Sequence, residues 1–453
     1  MRYYLLTLGC AKNVADSDGM GAILEQAGIQ STDQVNDADV LIVNTCGFLQ
    51  AARAESLAAL RELGKQKHDG QLLIAAGCLI SRYGEIVQRE VPQVDAVIDA
   101  GHWLAMPRLI EQLASRSHDD AWLNEAYAGL PINQISARSI VEHLPRVVHA
   151  PSAYLKIADG CDRPCTFCII PAIKGAHRSK PVEAVIAEAR ELVAHQVKEI
   201  VLVAQDTTAY GWDWGQRDAL ASLIEKLCTE VEGLRWLRLM YAYPGHVTPR
   251  LIETMARYPQ VLHYLDVPLQ HAHPATLRRM KRPNLVVARK MLDDLRAAMP
   301  DIAIRTTFIV GFPGETNDEF NALLEFLEEQ QFDRVGIFEF SREEGTPSAL
   351  MENQVAAKTK KHRRERAMAL QQKISLAKNK RWIGKELQVL IEGVGDGVSI
   401  ARSYRDAPEV DGVVILEKEL RVGDLVRVKI TAASEYDWMA ETLADEGRTT
   451  NDE

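Results

Sequence analysis

Eight residues, Cys161-Asp162-Arg163-Pro164-Cys165-Thr166-Phe167-Cys168, constrain this chain more than any other segment. They place three thiols at CxxxCxxC spacing in one tight loop. After any one cysteine, both further spacings arise by chance only roughly once in several thousand trials at this composition. Soft thiolates suit iron–sulfur chemistry, and three of them leave one iron of a four-iron cluster uncapped. An open coordination position is what a substrate-binding metal needs. The rival readings are a zinc loop or unpaired core cysteines. Zinc ordinarily takes a fourth protein ligand, and the nearest candidate, His177, lies well downstream.

The chain holds seven cysteines in all: these three, Cys10, Cys46, Cys78 and Cys228. Its first ten residues carry too short an apolar stretch for a secretory leader, and no apolar run reaches membrane-spanning length. A cytoplasmic location without membrane association is therefore expected, and there metal or redox roles outweigh disulfides. Tyr3–Leu8, Val40–Val43 and Leu72–Ala75 read as buried parallel strands, each followed by a helical pattern. They lead into Cys10, Cys46 and Cys78 respectively. In a parallel sheet the C-terminal strand ends share one edge, so separations of 36 and 32 residues become proximity. One such cysteine would read as a small core hydrophobe. Three at equivalent strand ends read better as a second three-thiolate cluster site. Cys228, alone within a helical pattern, reads as core.

Beyond a connecting segment (117–146), strand–helix alternation resumes. Candidate strands are Tyr154–Ala158, Glu199–Val203, Trp236–Tyr241, Leu262–Val267, Ala303–Val310 and Arg334–Phe340, with helices such as Pro181–His195 and Thr316–Gln330 between them. Six βα units predict a partial barrel with its functional groups on the loops after the strands. Thr359–Arg381 follows as a helix with nine Lys or Arg residues against the single acid Glu365. Short strands at Leu387–Ile391, Ser399–Arg402, Gly412–Ile415 and Leu425–Ile430 then predict a small β-barrel. Residues after Glu446 read as disordered. The expected fold class is α/β, with units at 1–116, 147–378 and 380–446.

The CxxxCxxC loop, with the aromatic Phe167 before its last cysteine, resembles the hallmark of the radical S-adenosylmethionine superfamily. The resemblance implies that the open iron chelates S-adenosylmethionine and that Phe167 belongs to the cofactor site. It also implies that an electron from the cluster cleaves the sulfonium to a 5′-deoxyadenosyl radical. Such a reaction needs no side-chain general base. With two cysteine trios in this order, nearly the whole chain resembles the methylthiotransferase family. That family has an N-terminal cluster domain, a partial (βα)6 TIM-like radical barrel and a C-terminal small β-barrel called TRAM. The resemblance implies two [4Fe–4S] clusters, one on Cys10, Cys46 and Cys78 and one on Cys161, Cys165 and Cys168. It further implies S-adenosylmethionine as methyl and radical source, sulfur held at the first cluster, and an electron donor such as flavodoxin or ferredoxin.

Within that family four loops resemble the RimO-type branch. They are Thr7-Leu8-Gly9-Cys10-Ala11-Lys12-Asn13, Gln205-Asp206-Thr207-Thr208-Ala209-Tyr210-Gly211, Tyr264-Leu265-Asp266-Val267-Pro268-Leu269-Gln270-His271 and Phe340-Ser341-Arg342-Glu343-Glu344-Gly345-Thr346. His273 departs from the pattern, where serine or alanine is more usual. The branch implies methylthiolation at the β-carbon of an aspartate in small-subunit ribosomal protein twelve. The rivals are methylthiolation of isopentenyl-adenosine in tRNA and a non-catalytic iron–sulfur factor bound to the ribosome.

Charge bears on this choice. The chain carries 53 basic and 63 acidic residues, and 381–446 holds 8 basic against 14 acidic, a net of −6. An acidic TRAM barrel repels phosphates and complements a basic ribosomal protein, or it is an ordinary solvated surface. The basic 359–381 helix either contacts ribosomal RNA or is a solvated face.

Six weaker placements complete the reading. Gly311, in Gly311-Phe312-Pro313-Gly314-Glu315, either lets backbone approach the cofactor or makes a tight βα turn. Gln205, Asp206 and Gln270 follow strands and are candidate S-adenosylmethionine or substrate contacts, with helix capping the rival for Asp206. Arg178 and Lys180 either contact a carboxylate or lie on the surface.

Overall fold

The computed structural model describes residues 1–115, 148 and 150–443. The segment 117–146 and the tail beyond Glu446 lie outside the described residues.

The N-terminal unit is a five-stranded parallel sheet in the order β2-β1-β3-β4-β5. Its strands are β1 (Arg2–Thr7), β2 (Gln30–Ser31), β3 (Val40–Thr45), β4 (Leu72–Gly77) and β5 (Ala96–Asp99). Helices α1 (Ala11–Gln26) and α4 (Met106–Ala114) cover one face through Met20, Leu24, Met106 and Ile110. Helices α2 (Gln50–Gln66) and α3 (Cys78–Glu90) cover the other through Leu60, Leu63, Leu79 and Val87. With helices on both faces, β3 is buried along its full length, which is why it reads as a continuous apolar run. In register, Asn44 of β3 pairs with Thr7 on one side and Ala76 on the other. The three cysteines therefore leave adjacent strands at one edge.

The second unit is an open six-stranded parallel sheet in the order β13-β12-β11-β10-β9-β6. Its strands are β6 (Ser152–Lys156), β9 (Glu199–Val203), β10 (Trp236–Leu239), β11 (Val261–Asp266), β12 (Ala303–Val310) and β13 (Arg334–Glu339). Each expected strand is present within two residues of its expected ends. The helices are α5 (Ile170–Lys174), α6 (Val182–Ala194), α7 (Ala219–Glu230), α8 (Pro249–Arg257), α9 (Pro274–Arg279), α10 (Leu285–Ala298) and α11 (Asn317–Gln330). A two-strand pair, β7 (Ala158–Asp159) and β8 (Arg178–Ser179), closes the base of the CxxxCxxC loop. Outward residues such as Leu155, Ile200, Leu202, Leu239 and Ile304 pack under the helices. Cys228 of α7 packs against that core, as expected. The concave face instead carries Lys156, Glu199, Arg238, Asp266 and Arg305.

The basic helix forms as α12 (Ala357–Lys380) and leads into a closed barrel of β14 (Glu386–Gly395), β15 (Val398–Ser403), β16 (Val414–Leu416), β17 (Leu425–Ala433) and β18 (Trp438–Thr442). Four of these five strands were expected, and β18 is additional. The β15–β16 connection plugs the N-terminal end of the larger sheet. Arg402 reaches Glu199 at 2.5 Å, and Arg238 pairs with the same carboxylate at 2.6 Å. Asp411 accepts from Tyr264 at 2.7 Å and from Arg305 at 3.2 Å. Arg334 holds Asp406, and Arg405 holds Asp333 at 2.6 Å. Buried charges persist only when paired and hydrogen-bonded, so these partners fix how the barrel sits. The plug closes one end of the concavity and leaves the C-terminal strand ends for chemistry.

Candidate active site

The first trio is set by tight backbone turns. Gly9 precedes Cys10 with φ +103°, and a Cβ there would lie 2.7 Å from Cys46 Cβ and 3.1 Å from Cys46 Sγ. Gly77, at φ +97°, precedes Cys78 against Asn44 and the Thr45 carbonyl, leaving no room for a side chain. Ser56 pins Cys46 by accepting from its N–H at 3.0 Å and donating to its carbonyl at 3.1 Å. Asn13 ties the edge together: its amide donates to Leu8 O at 2.7 Å and Thr45 O at 3.1 Å, and its carbonyl oxygen lies 3.9 Å from Cys78 Sγ. Burial pushes the Cys78 thiol up to about 12 and raises Cys46 as well.

The second trio lies on the loop between β7 and β8. Gly160, at φ +74°, brings the loop against the Ala176 carbonyl, and Cys161 N–H donates to Gly175 O at 3.1 Å. Thr166 anchors the middle through N–H to Met280 O at 3.2 Å and hydroxyl to Arg279 O at 2.8 Å. Phe167 packs with Met280, Phe312 and Phe340. Arg282 donates to Cys165 Sγ at 3.7 Å and to the Pro268 carbonyl, while its Nε is buried without a partner. Burial raises Cys161 and pushes Cys168 up to about 12.

The candidate contacts from sequence collect at this same end of the sheet. Asp206 does not cap with its side chain. It accepts from Arg163 Nε at 2.9 Å and Thr208 Oγ1 at 2.6 Å, with His246 at 3.3 Å. Burial alone would raise its carboxyl, but His246, Thr208 and the Arg163 charge together hold it below the usual range. Asp206 thereby tethers Arg163 of the cluster loop. Gln205 donates to Asp159 at 2.7 Å and keeps a buried Oε1 without a partner. Gln270 adopts φ +73°, a left-handed conformation that a non-glycine residue rarely holds without a functional or packing reason.

Gly311, at φ +71°, faces the aliphatic stem of Lys360 on α12. Lys180 is buried on Glu188 at 2.6 Å, whereas Arg178 is exposed. His273 caps α9, its ring nitrogen accepting from Ala275 N–H at 3.3 Å, which explains how histidine serves at that position. In α12, Arg363 is buried on Glu315 at 3.4 Å and Lys378 pairs with Asp333 at 2.8 Å, so only part of the basic run is free for a partner.

Charged contacts that sequence reading did not single out join the segments that carry the two trios. Lys156 and Lys174 both hold Asp16 of α1, Lys174 at 3.4 Å. Lys174, six residues beyond Cys168, also feels the charge of Cys78; Asp159, Asp16 and that thiol outweigh burial and raise its amine. Arg82 and the Gln50 N–H grip Glu343 at 3.4 and 2.8 Å. Lys12 Nζ lies 3.3 Å from the centre of the Tyr241 ring, just past β10. Lysine and asparagine are usually surface residues, so only the motifs containing Lys12 and Asn13 could have flagged them.

The donor chemistry fits iron–sulfur clusters. Buried thiols with raised pKa stay protonated unless a cation stands beside them, and a metal supplies that charge. Among the described residues no three His, Cys, Asp or Glu side chains converge on a single-ion site. Each thiolate of a four-iron cluster binds a different iron, so such a trio need not converge on one point. The orphaned Gln205 Oε1 fits a polar ligand in the same mouth.

Three family models match the chain: an uncharacterized protein family designated UPF0004 over residues 2–99, the radical SAM superfamily over 155–327 and the TRAM domain over 383–443. A relative from Roseiflexus sp. strain RS-1, ribosomal protein uS12 methylthiotransferase RimO, is 48% identical over 472 aligned residues, covering 100% of both chains. The RimO of Chloroflexus aurantiacus is 49% identical over 98% of this chain and 100% of that one. Among solved structures, the radical S-adenosylmethionine methyltransferase TsrM from Kitasatospora setae aligns with a TM-score of 0.59 at 12% identity. It covers 88% of this chain and 77% of that one, a likeness of fold.

Proposed function

The chain belongs to the RimO family of ribosomal protein uS12 methylthiotransferases, and from that premise we propose that it adds a methylthio group to the β-carbon of an aspartate in uS12. Cys161, Cys165 and Cys168 would hold one [4Fe–4S] cluster and Cys10, Cys46 and Cys78 a second. When bound, these groups and S-adenosylmethionine supply the electron, the radical precursor, the methyl group and the site where sulfur is held.

The chain's own part is positioning and exclusion of water. Asp206, through Arg163, fixes the cluster loop, and Arg282 donates to a cluster-binding sulfur. Gln205, Gln270 and Phe167 lie where a cofactor or substrate can be held. Glu343 and Asp16 clamp the N-terminal edge over the barrel mouth, while the TRAM plug shuts the opposite end. One observation carries the reading: Lys174, six residues beyond Cys168, pairs at 3.4 Å with Asp16 on the helix that follows Cys10. Such closeness suits a reaction that joins a substrate carbon at one centre to sulfur at the other.

The acidic TRAM barrel complements a basic ribosomal protein and disfavours an RNA substrate. The exposed cations of α12, including Lys361, Arg364 and Lys373, offer a secondary contact for ribosomal RNA. No helix among the described residues is long and apolar enough to cross a membrane. The proposed setting is the cytoplasm, with flavodoxin or ferredoxin as reductant. Anaerobically reconstituted enzyme, given a uS12 peptide, S-adenosylmethionine and reductant, should yield methylthiolated peptide and 5′-deoxyadenosine. Modification of tRNA alone, or absence of 5′-deoxyadenosine, would overturn this reading.

A further inference from the structure

We propose that Lys12 is the residue that selects aspartate, its ammonium receiving the side-chain carboxylate of the acceptor at the barrel mouth. This rests on the uS12 reading above and goes beyond it by naming how the acceptor residue is recognised.

The argument starts from charge balance. Five other cations facing this concavity already have a carboxylate, and Arg282 donates instead to Cys165 Sγ and the Pro268 carbonyl. Lys156 and Lys174 share Asp16 and Asp159. Arg163 is held by Asp206, Arg238 by Glu199, and Arg305 by Asp266 and Asp411. Lys12 is different. Among the described residues it forms no ion pair within 4.0 Å, and its ammonium rests on the face of Tyr241 at 3.3 Å. Tyr241, with which it also hydrogen-bonds, Cys10 and Asp266 are all close enough for their charges to be felt. The two oxygens of Asp266, however, accept from Arg305 at 3.1 Å and from the Tyr241 N–H at 3.2 Å. An aromatic face stabilises a cation only modestly, so a partly desolvated ammonium held there is suited to an anion that arrives later.

Backbone geometry at the same place agrees. Tyr241 and Gln270, each just past the C-terminal end of its strand, have φ values of +61° and +73°. Left-handed non-glycine residues are costly and cluster at ligand-binding positions. Here they follow β10 and β11, and the first carries the ring beneath Lys12. Lys12 itself lies two residues from Cys10, so an anion on its ammonium sits beside the first trio.

The chemistry matches one acceptor. In aspartate the β-carbon is bonded directly to the side-chain carboxylate, so fixing that carboxylate also fixes the reacting carbon. Asparagine has the same shape without the charge and would leave Lys12 without its anion. A site that expects a polar partner discriminates strongly against an isostere that cannot supply it.

The test compares a uS12 peptide carrying the acceptor aspartate with its asparagine twin. Both are bound to reconstituted holoenzyme without reductant, so that no turnover occurs. Wild-type enzyme should favour the aspartate peptide about ten-fold or more, and K12R should keep most of that ratio. K12Q should bring the ratio close to one. An unchanged ratio in K12Q at wild-type iron content overturns the proposal. A second readout needs no variant: the aspartate peptide should shield Lys12 of the wild-type enzyme from an amine-acetylating reagent, read by mass spectrometry, and the asparagine peptide should not. Equal shielding by both also overturns it. Wild-type enzyme that binds neither peptide better than an unrelated acidic one overturns the uS12 reading instead.

Discussion

The carboxylate of Glu343 accepts a hydrogen bond from the backbone N–H of Gln50 at 2.8 Å, across 293 residues of sequence. Glu343 belongs to the loop after the last barrel strand, and Gln50 begins the helix after Cys46. The same carboxylate meets Arg82, which also donates to Gly47 O at 3.0 Å and Glu344 O at 3.0 Å. One acidic side chain thus joins the segment beside the second cysteine of the first trio to the radical barrel.

Removing that clamp should separate the two half-reactions. Glu343→Ala leaves Arg82 without its buried carboxylate, a loss of about 3–5 kcal/mol for a well-buried pair. Methylthiolation of a uS12 peptide should fall by more than ten-fold. Formation of 5′-deoxyadenosine, which depends on the CxxxCxxC loop, should fall far less. Product ratios by mass spectrometry would check this, and hydrogen exchange should rise around 46–50. Parallel loss of both products would count against the clamp.

Arg282 should tune the radical-generating centre without being a ligand. Its N–H to Cys165 Sγ places positive charge and a hydrogen bond at a cluster sulfur, which favours the reduced form. Arg282→Met should lower the midpoint potential seen by redox-poised electron paramagnetic resonance and slow S-adenosylmethionine cleavage by about ten-fold. Iron content should stay at the wild-type level. An unchanged potential would leave Arg282 with only its structural bond to the Pro268 carbonyl.

Much of this was legible because apolar runs and cysteines are strong local signals. All six large-sheet strands and four of the five TRAM strands could be placed from sequence. β18 escaped because Trp438-Met439-Ala440-Glu441-Thr442 alternates buried and exposed residues over too short a span, behind the polar Glu435-Tyr436-Asp437. Partnerships between distant residues were not legible. Arg363 looks like one more cation in a basic run until Glu315, 48 residues earlier, folds against it. From its sequence Asp206 is a candidate cofactor or substrate contact, with a helix cap as the rival. Its actual role, holding Arg163, depends on two loops meeting. Lys12 is named by its motif alone, because nothing local distinguishes a half-buried lysine from an exposed one.

The TRAM plug makes a stability prediction. Glu199 is fully buried between Arg238 and Arg402; burial would raise its carboxyl, but the two guanidiniums hold it down at about 2. Glu199→Gln leaves Arg238 without its only carboxylate and Arg402 with Glu392 alone, and should cost about 3–5 kcal/mol of unfolding free energy. Adding Arg238→Met removes the uncompensated charge and should restore part of the loss. Denaturant titrations of the single and double variants measure the coupling. A double variant no better than the single one would mean that Arg238 gains little from Glu199.

Gly9→Ala should empty one cysteine site and spare the other. At φ +103° an alanine is already strained, and its Cβ would stand 2.7 Å from Cys46 Cβ, closer than side-chain carbons approach. Either β1's exit or Cys46 must move, and both belong to the first trio. The CxxxCxxC loop lies on a different sheet and should keep its metal. Reconstituted Gly9→Ala protein should therefore bind about four iron atoms per chain where the wild type binds about eight. It should still form 5′-deoxyadenosine while producing little methylthiolated peptide. A variant with full iron would mean that the trio tolerates the displacement. One with no iron would mean that the two sites load as a single unit, which does not agree with two separately built trios.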